Sequence, residues 1–181
     1  MAVLRIFVLV TAIVCTLCAG AAHSAEPLRL NEQKIKAGLL YNIAKYTVWP
    51  TSAFPEKSSV LQICLLGGDA FDGALNPLQG HIVQQRKINI KTLHFVDTDT
   101  KCHIQFVNSN MGSEIETIKE YAQERNILTL SDIKGFSSKG GMIEFALSPD
   151  NRIEIYLDRN MIQRSGLRIG EQIIRLAKVR Q

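Results

Sequence analysis

The chain has 181 residues, 46% hydrophobic and 21% charged, with 21 Lys and Arg against 17 Asp and Glu for a net charge of +4. That is one domain's worth of chain with an ordinary globular balance, which excludes disordered, collagen-like and coiled-coil classes. The basic excess is slight and scattered, so no nucleic-acid partner is expected.

Residues 1–25 read as a secretory signal peptide. Arg5 is the lone charge, and Ile6 to Ala19 form an apolar run broken by two threonines. Gly20-Ala21-Ala22-His23-Ser24-Ala25 then supplies small residues for a signal peptidase. Cleavage after Ala25 puts His23 at −3, whereas cleavage after Ala22 fits the small-residue rule better. The run is shorter than the roughly 20 residues of a membrane-spanning helix. Val14 and Leu17 precede Cys15 and Cys18 where a lipoprotein signal has small residues. The sequence thus predicts a soluble, exported domain over residues 26–181.

Ile35, Leu39 and Ile43, with Leu40, Ala44 and Val48, form a helical stripe with Lys34, Lys36 and Lys45 off it. Asn31 is the expected N-cap and Pro50 the stop. After a loop from Thr51 to Ser59, Val60 to Leu66 reads as a strand covered on both faces. Gly67-Gly68 makes a turn and Asp69 caps a short helix ending near Pro77. Lys87 to Val96 and His103 to Val107 read as strands, Ser113 to Glu124 as a helix, and Ile127 to Leu130 as a strand. Lys139-Gly140-Gly141-Met142 calls for positive φ. Met142 to Leu147 and Arg152 to Leu157 flank the turn Ser148-Pro149-Asp150-Asn151, a hairpin signal. Ile169, Ile173, Leu176 and Ala177 predict a final helix. The expected fold is α/β, a single-domain sandwich with a central mixed β-sheet flanked by helices.

Cys64 and Cys102 are the cysteines left after the leader, and in an oxidising compartment two thiols of one domain are expected to pair. The alternative is a metal site using them with His103 and with His94 or His81, although no short-spaced ligand pair is present. Gly67-Gly68-Asp69-Ala70-Phe71 lacks the third glycine of a dinucleotide fingerprint and the Lys-Ser/Thr of a P-loop. It also departs from the Gly-Gly-Asp-Glu-Phe signature of diguanylate cyclases at Ala70, in a strand-to-helix context. No G-x-S-x-G elbow or H-E-x-x-H helix occurs, and neighbouring Cys102 and His103 alternate across a strand. Neither an enzyme, a cofactor nor a metal is expected. Arg168, near the start of the final helix, and Arg164 are candidate anion or ligand contacts.

The segment Ile35-Lys36-Ala37-Gly38-Leu39-Leu40-Tyr41-Asn42-Ile43-Ala44-Lys45-Tyr46-Thr47-Val48-Trp49-Pro50 resembles the opening signature of the YfiR family. Ile63-Cys64-Leu65-Leu66-Gly67, Cys102-His103-Ile104, Gly135-Phe136 with Gly140-Gly141-Met142-Ile143, and Leu167-Arg168-Ile169 with Ile173-Ile174-Arg175-Leu176-Ala177 follow in the family's order. The resemblance implies a periplasmic α/β repressor that binds the periplasmic region of an inner-membrane diguanylate cyclase and lowers cyclic-di-GMP output and biofilm formation. It further implies a homodimer and a sequestering partner associated with the outer membrane. In such proteins the cysteines matching Cys64 and Cys102 form a structural disulfide. The second pair found in some members has no counterpart after Cys102, and Gly170 stands where a small polar cap is expected. Trp49, Tyr46 and Tyr41 are the expected partner or dimer contacts, because interface anchors favour aromatic residues. A periplasmic module that presents a small molecule to a membrane sensor is the alternative reading.

Overall fold

A computed structural model describes residues 25–54 and 60–180. The expected leader lies outside them except for Ala25. The chain divides at Glu32, so beyond the opening turns of the first helix everything below belongs to the unit Gln33–Gln181.

Helix α1 (Ala25–Tyr46) includes Asn31 in its body, so that residue is not the cap. Its inward face is also rotated from the expected stripe. Gln33, Lys36, Ala37, Leu40, Ile43 and Ala44 are buried, while Ile35 is 46% and Val48 47% exposed. Lys36 accounts for the difference: its stem is buried and its Nζ meets Asp132 Oδ2 at 2.8 Å. A partner 96 residues away makes a core position of what hydrophobicity reads as surface. The chain leaves α1 directly into β1 (Thr47–Val48), ahead of Pro50.

β2 (Leu61–Leu66) is buried at every position, as its unbroken apolar run requires. The expected helix after it does not form. The Asp69 carboxylate accepts hydrogen bonds from the Phe71 and Gly73 N–H groups, both at 2.8 Å, and so holds the chain in successive turns. β3 (Ile82–Val83) and β4 (Arg86–Leu93) then make a hairpin that lacks any Asn-Gly signal. Gln84 and Gln85 adopt its positive φ values of 50° and 65°. The Gln84 side chain compensates, donating from Nε2 to the carbonyls of Ala44, Lys45 and Thr47 at 3.1, 3.1 and 2.7 Å. These include carbonyls that the end of α1 leaves without an intrahelical donor.

β5 (Ile104–Val107) leads through a 3-10 segment, Ser109–Glu114, into α2 (Ile115–Glu124) and β6 (Leu128–Ser131). Gly140 takes the expected positive φ, 92°. β7 (Ile143–Leu147) and β8 (Ile153–Asp158) form the predicted antiparallel hairpin. α3 (Arg159–Arg164) is capped by Asp158, which accepts from the Met161 N–H at 2.9 Å.

The C-terminal segment departs from expectation. Instead of one helix it forms β9 (Arg168–Ile169), the single turn α4 (Glu171–Ile174) and strand β10 (Ala177–Arg180). Of the expected stripe only Ile173 is buried, and Leu176 is 65% exposed. Parallel pairing with β8 over Ala177–Arg180 is what claims the segment. Gly170 donates its N–H to the Tyr46 carbonyl at 2.8 Å, and a Cβ there would approach that oxygen to 3.2 Å. Close packing on α1, rather than capping, explains this glycine.

The main sheet runs β10-β8-β7-β6-β5-β2-β4-β3, and β1 with β9 makes a separate antiparallel pair. The run β4-β2-β5-β6-β7 is parallel throughout, while β3 and β8 pair antiparallel with their hairpin neighbours. Leu61, Ile63 and Leu65 share one core layer with Leu40 and Ile43 of α1. Cys64 and Leu66 point into the other, with Ile115, Ile118 and Ala122 of α2. The mixed sheet sandwiched by helices is the architecture expected.

Candidate functional site

The order of the parallel strands places a topological switch point between β2 and β5, where β4 and β5 lie on opposite sides of β2. Open α/β sheets bind ligands in the crevice beyond the carboxyl ends of such strands. Here the crevice is filled from within. Asn110 Nδ2 donates to the Gly67 carbonyl at 2.8 Å. Gly67 has φ +85°, and a Cβ on it would collide with Asn110 Oδ1 and Met111 Cγ. The Gly67-Gly68 turn is thus a seat for an asparagine side chain, not a phosphate cradle.

The opposite, amino-terminal edge of the same strands carries a denser cluster. His103 sits just before β5, and its ring stacks on Phe54 with centroids 4.2 Å apart. The Arg86 guanidinium covers the other face of the cluster, 3.8 Å from the Phe54 centroid. Trp49 meets Phe54 edge-on at 6.0 Å and donates its indole N–H to the His103 carbonyl at 3.3 Å. The imidazole has no nitrogen to spare. Gln62 N–H donates to Nδ1 at 3.0 Å, so the proton resides on Nε2, which lies 3.2 Å from the Ala53 carbonyl and donates to it. Burial above all, with the Arg86 and Lys101 charges, pushes this imidazole below its usual pKa, against the pull of the Ala53 carbonyl. A neutral histidine with both nitrogens engaged can neither bind a metal nor act as a base without giving up a backbone partner. Cys102 beside it is bridged to Cys64, with Cα atoms 5.8 Å apart, so the alternative of a metal site built on these two thiols falls.

The other residues singled out by sequence are dispersed. Trp49 is buried at 8% exposure, whereas Tyr41 and Tyr46 are half-buried and pack against the core. Arg164 and Arg168 are both exposed and line different clefts: Arg164 with Glu120 and Glu124, Arg168 with Arg159 and Glu171. Arg168 lies on β9, before a helix of only four residues, so no long helix directs its dipole at that arginine. The residues that sequence reasoning missed are Phe54, Arg86, Tyr121 and Arg125, which the amino-terminal edge gathers from three separate segments. No spacing motif links them. Among the described residues no group of three or more His, Cys, Asp and Glu is arranged to hold a metal ion.

A family model described as YfiR/HmsC-like matches residues 33–178. No curated protein matches the sequence. Among solved structures, the chain resembles a conserved domain protein from Vibrio cholerae O1 biovar El Tor str. N16961, with 10% identity and a TM-score of 0.55. The match covers 82% of this chain and 60% of that one, and at such identity it shows the fold alone.

Proposed function

The chain belongs to the YfiR/HmsC-like family, and from that premise we propose that it is a periplasmic negative regulator of an inner-membrane diguanylate cyclase. It binds the cyclase's periplasmic sensor region, holds the inactive conformation and lowers cyclic-di-GMP signalling and biofilm formation. The family match across residues 33–178 carries this reading. A bridged cysteine pair suits an oxidising compartment. No helix among the described residues is long and apolar enough to cross a membrane. Repression of this kind needs no catalytic group, only tighter binding to one of two partner conformations.

The proposed contact surface follows from exposure. With Trp49 buried, the large exposed apolar side chains between Gln33 and Pro50 are Ile35 and Val48, and Leu39 and Tyr46 of the same segment are half-buried. Ile35, Leu39 and Tyr46 recur at helical spacing along one flank of α1. This ridge, with Val48 beyond its end, is the proposed contact for the cyclase or for a second copy in a homodimer. A sequestering protein at the outer membrane would relieve repression by competing for the regulator.

Deletion of the gene should raise cyclic-di-GMP, and the intact gene supplied in trans should restore it. Ile35→Asp and Val48→Asp should abolish co-purification with the cyclase's periplasmic region while leaving the melting temperature within a few degrees. Unchanged cyclic-di-GMP on deletion overturns the reading.

A further inference from the structure

Between the 97–103 loop and the end of α2 lies a cavity of about 300 Å³. That is room for about ten waters, at the small end of the range for ligand sites. Its apolar wall is made by Ile127, the Tyr121 ring and Cys102 of the bridge, and Ala53 and the buried side of His103 close it. Its charged groups are of one sign: Lys101 and Arg125 line it, and no carboxylate does.

Of the two acids on the loop, Asp99 is exposed and Asp97 is committed elsewhere. Asp97 Oδ1 accepts from the Asp99 N–H at 3.0 Å, and Oδ2 takes the Thr100 hydroxyl and lies 3.7 Å from Lys91 Nζ. The Asp97 carbonyl in turn accepts from the Tyr121 hydroxyl at 3.3 Å, tying the loop to α2. Arg125 lies 4.1 Å from the centroid of the Tyr121 ring. Glu124 meets Arg125 at 3.1 Å from the solvent side, where both side chains are exposed, so that pair competes only weakly with a ligand.

A cleft with one apolar wall, hydroxyl and amide groups from Ser52, Thr98, Thr100 and Asn126, and two cations suits an amphiphilic anion. We propose that this cavity binds a small organic carboxylate with an aromatic or aliphatic body. The carboxylate lies between Lys101 and Arg125, and the body packs on Tyr121, Ile127 and the Cys64–Cys102 bridge. The site is separate from the ridge of Ile35 and Val48, and its existence does not depend on the regulatory reading. Because its walls come from the loop after Pro50, the 97–103 loop and α2, an occupant would fasten three segments to one another.

Calorimetric titration of the mature protein with benzoate and 3-phenylpropionate, and with their neutral amides, tests the assignment. Saturable binding of the carboxylates is expected, at least about tenfold tighter than that of the amides, and weakened by a similar factor in Lys101→Ala/Arg125→Ala. Amide resonances of residues 101–103 and 125–127 should shift on binding, together with the Trp49 indole N–H that donates to the His103 carbonyl. Both substitutions are at exposed side chains, and a melting curve confirms that the variant is folded. Equal binding of acids and amides, binding unaffected by the double substitution, or saturable binding by inorganic phosphate alone would each overturn the proposal. So would the absence of saturable binding by either acid.

Discussion

Opening the Cys64–Cys102 bridge tests the architecture most directly, because it ties β2 to the entry of β5 in the layer that packs under α2. The cysteines are 38 residues apart. For a loop of that length the chain-entropy account gives about 4 kcal/mol of destabilisation of the unfolded chain by the cross-link. A domain of this size melts about 2–4 °C lower for each kcal/mol lost, so reduction should lower Tm by about 8–16 °C. Urea unfolding of the oxidised protein, the reduced protein and Cys64→Ala/Cys102→Ala measures this. Reduction alone removes the constraint without removing atoms. The alanine pair adds a packing loss of about 1–2 kcal/mol, because both side chains are buried. The urea m-value should also rise on reduction, since an unlinked chain unfolds to a more expanded state. A reduced protein within about 1 kcal/mol of the oxidised one would refute the reasoning, and with it the bridge as a brace of the fold.

Four further outcomes are expected. Because folding lowers the His103 pKa, its contribution is complete above about pH 6.5 and declines as pH falls through the folded value; His103→Asn, which keeps an acceptor for the Gln62 N–H but cannot titrate, should flatten the slope of stability between about pH 7 and pH 5 in chemical unfolding. Asp132→Ala should cost about 2 kcal/mol in the same assay, the loss of one charge-assisted hydrogen bond to a Lys36 that is 5% exposed. Gln85→Gly should raise stability by up to about 1 kcal/mol by relieving its positive φ. Gln84→Gly should lower stability instead, because it removes the donor to three carbonyls.

Where local pattern and tertiary structure agree, the sequence reading holds. β2 shows an unbroken apolar run because both of its faces are covered, and the β7–β8 hairpin carries its turn residues at Ser148–Asn151. The departures each trace to a distant partner. Asp132 draws Lys36 inward, so the hydrophobic stripe of α1 reads one step out of phase. The end of α1 stabilises a Gln-Gln turn that no turn propensity would select. β8 recruits Ala177–Arg180 as a strand although their spacing with Ile169 and Ile173 suits a helix. The candidate site was still less legible. Cys64 and Cys102 could be paired from the compartment alone, but Phe54, Arg86, Tyr121 and Arg125 converge on His103 and its neighbours only because three chain segments meet at one edge of the sheet. Trp49, legible as an aromatic anchor, is drawn into that edge by the His103 carbonyl.

One consequence of the outer strand concerns assembly. β10 borders the sheet with one flank open, and its Lys178 and Arg180 project on the same side, over the Tyr156 ring. Two molecules that zipped together strand against strand there would line up these cations from both copies along a single seam. Each cation already meets a carboxylate of its own sheet, Lys178 with Glu154 at 2.8 Å and Arg180 with Glu144 at 3.9 Å, so such a seam would set ion pair against ion pair rather than bare charge against bare charge.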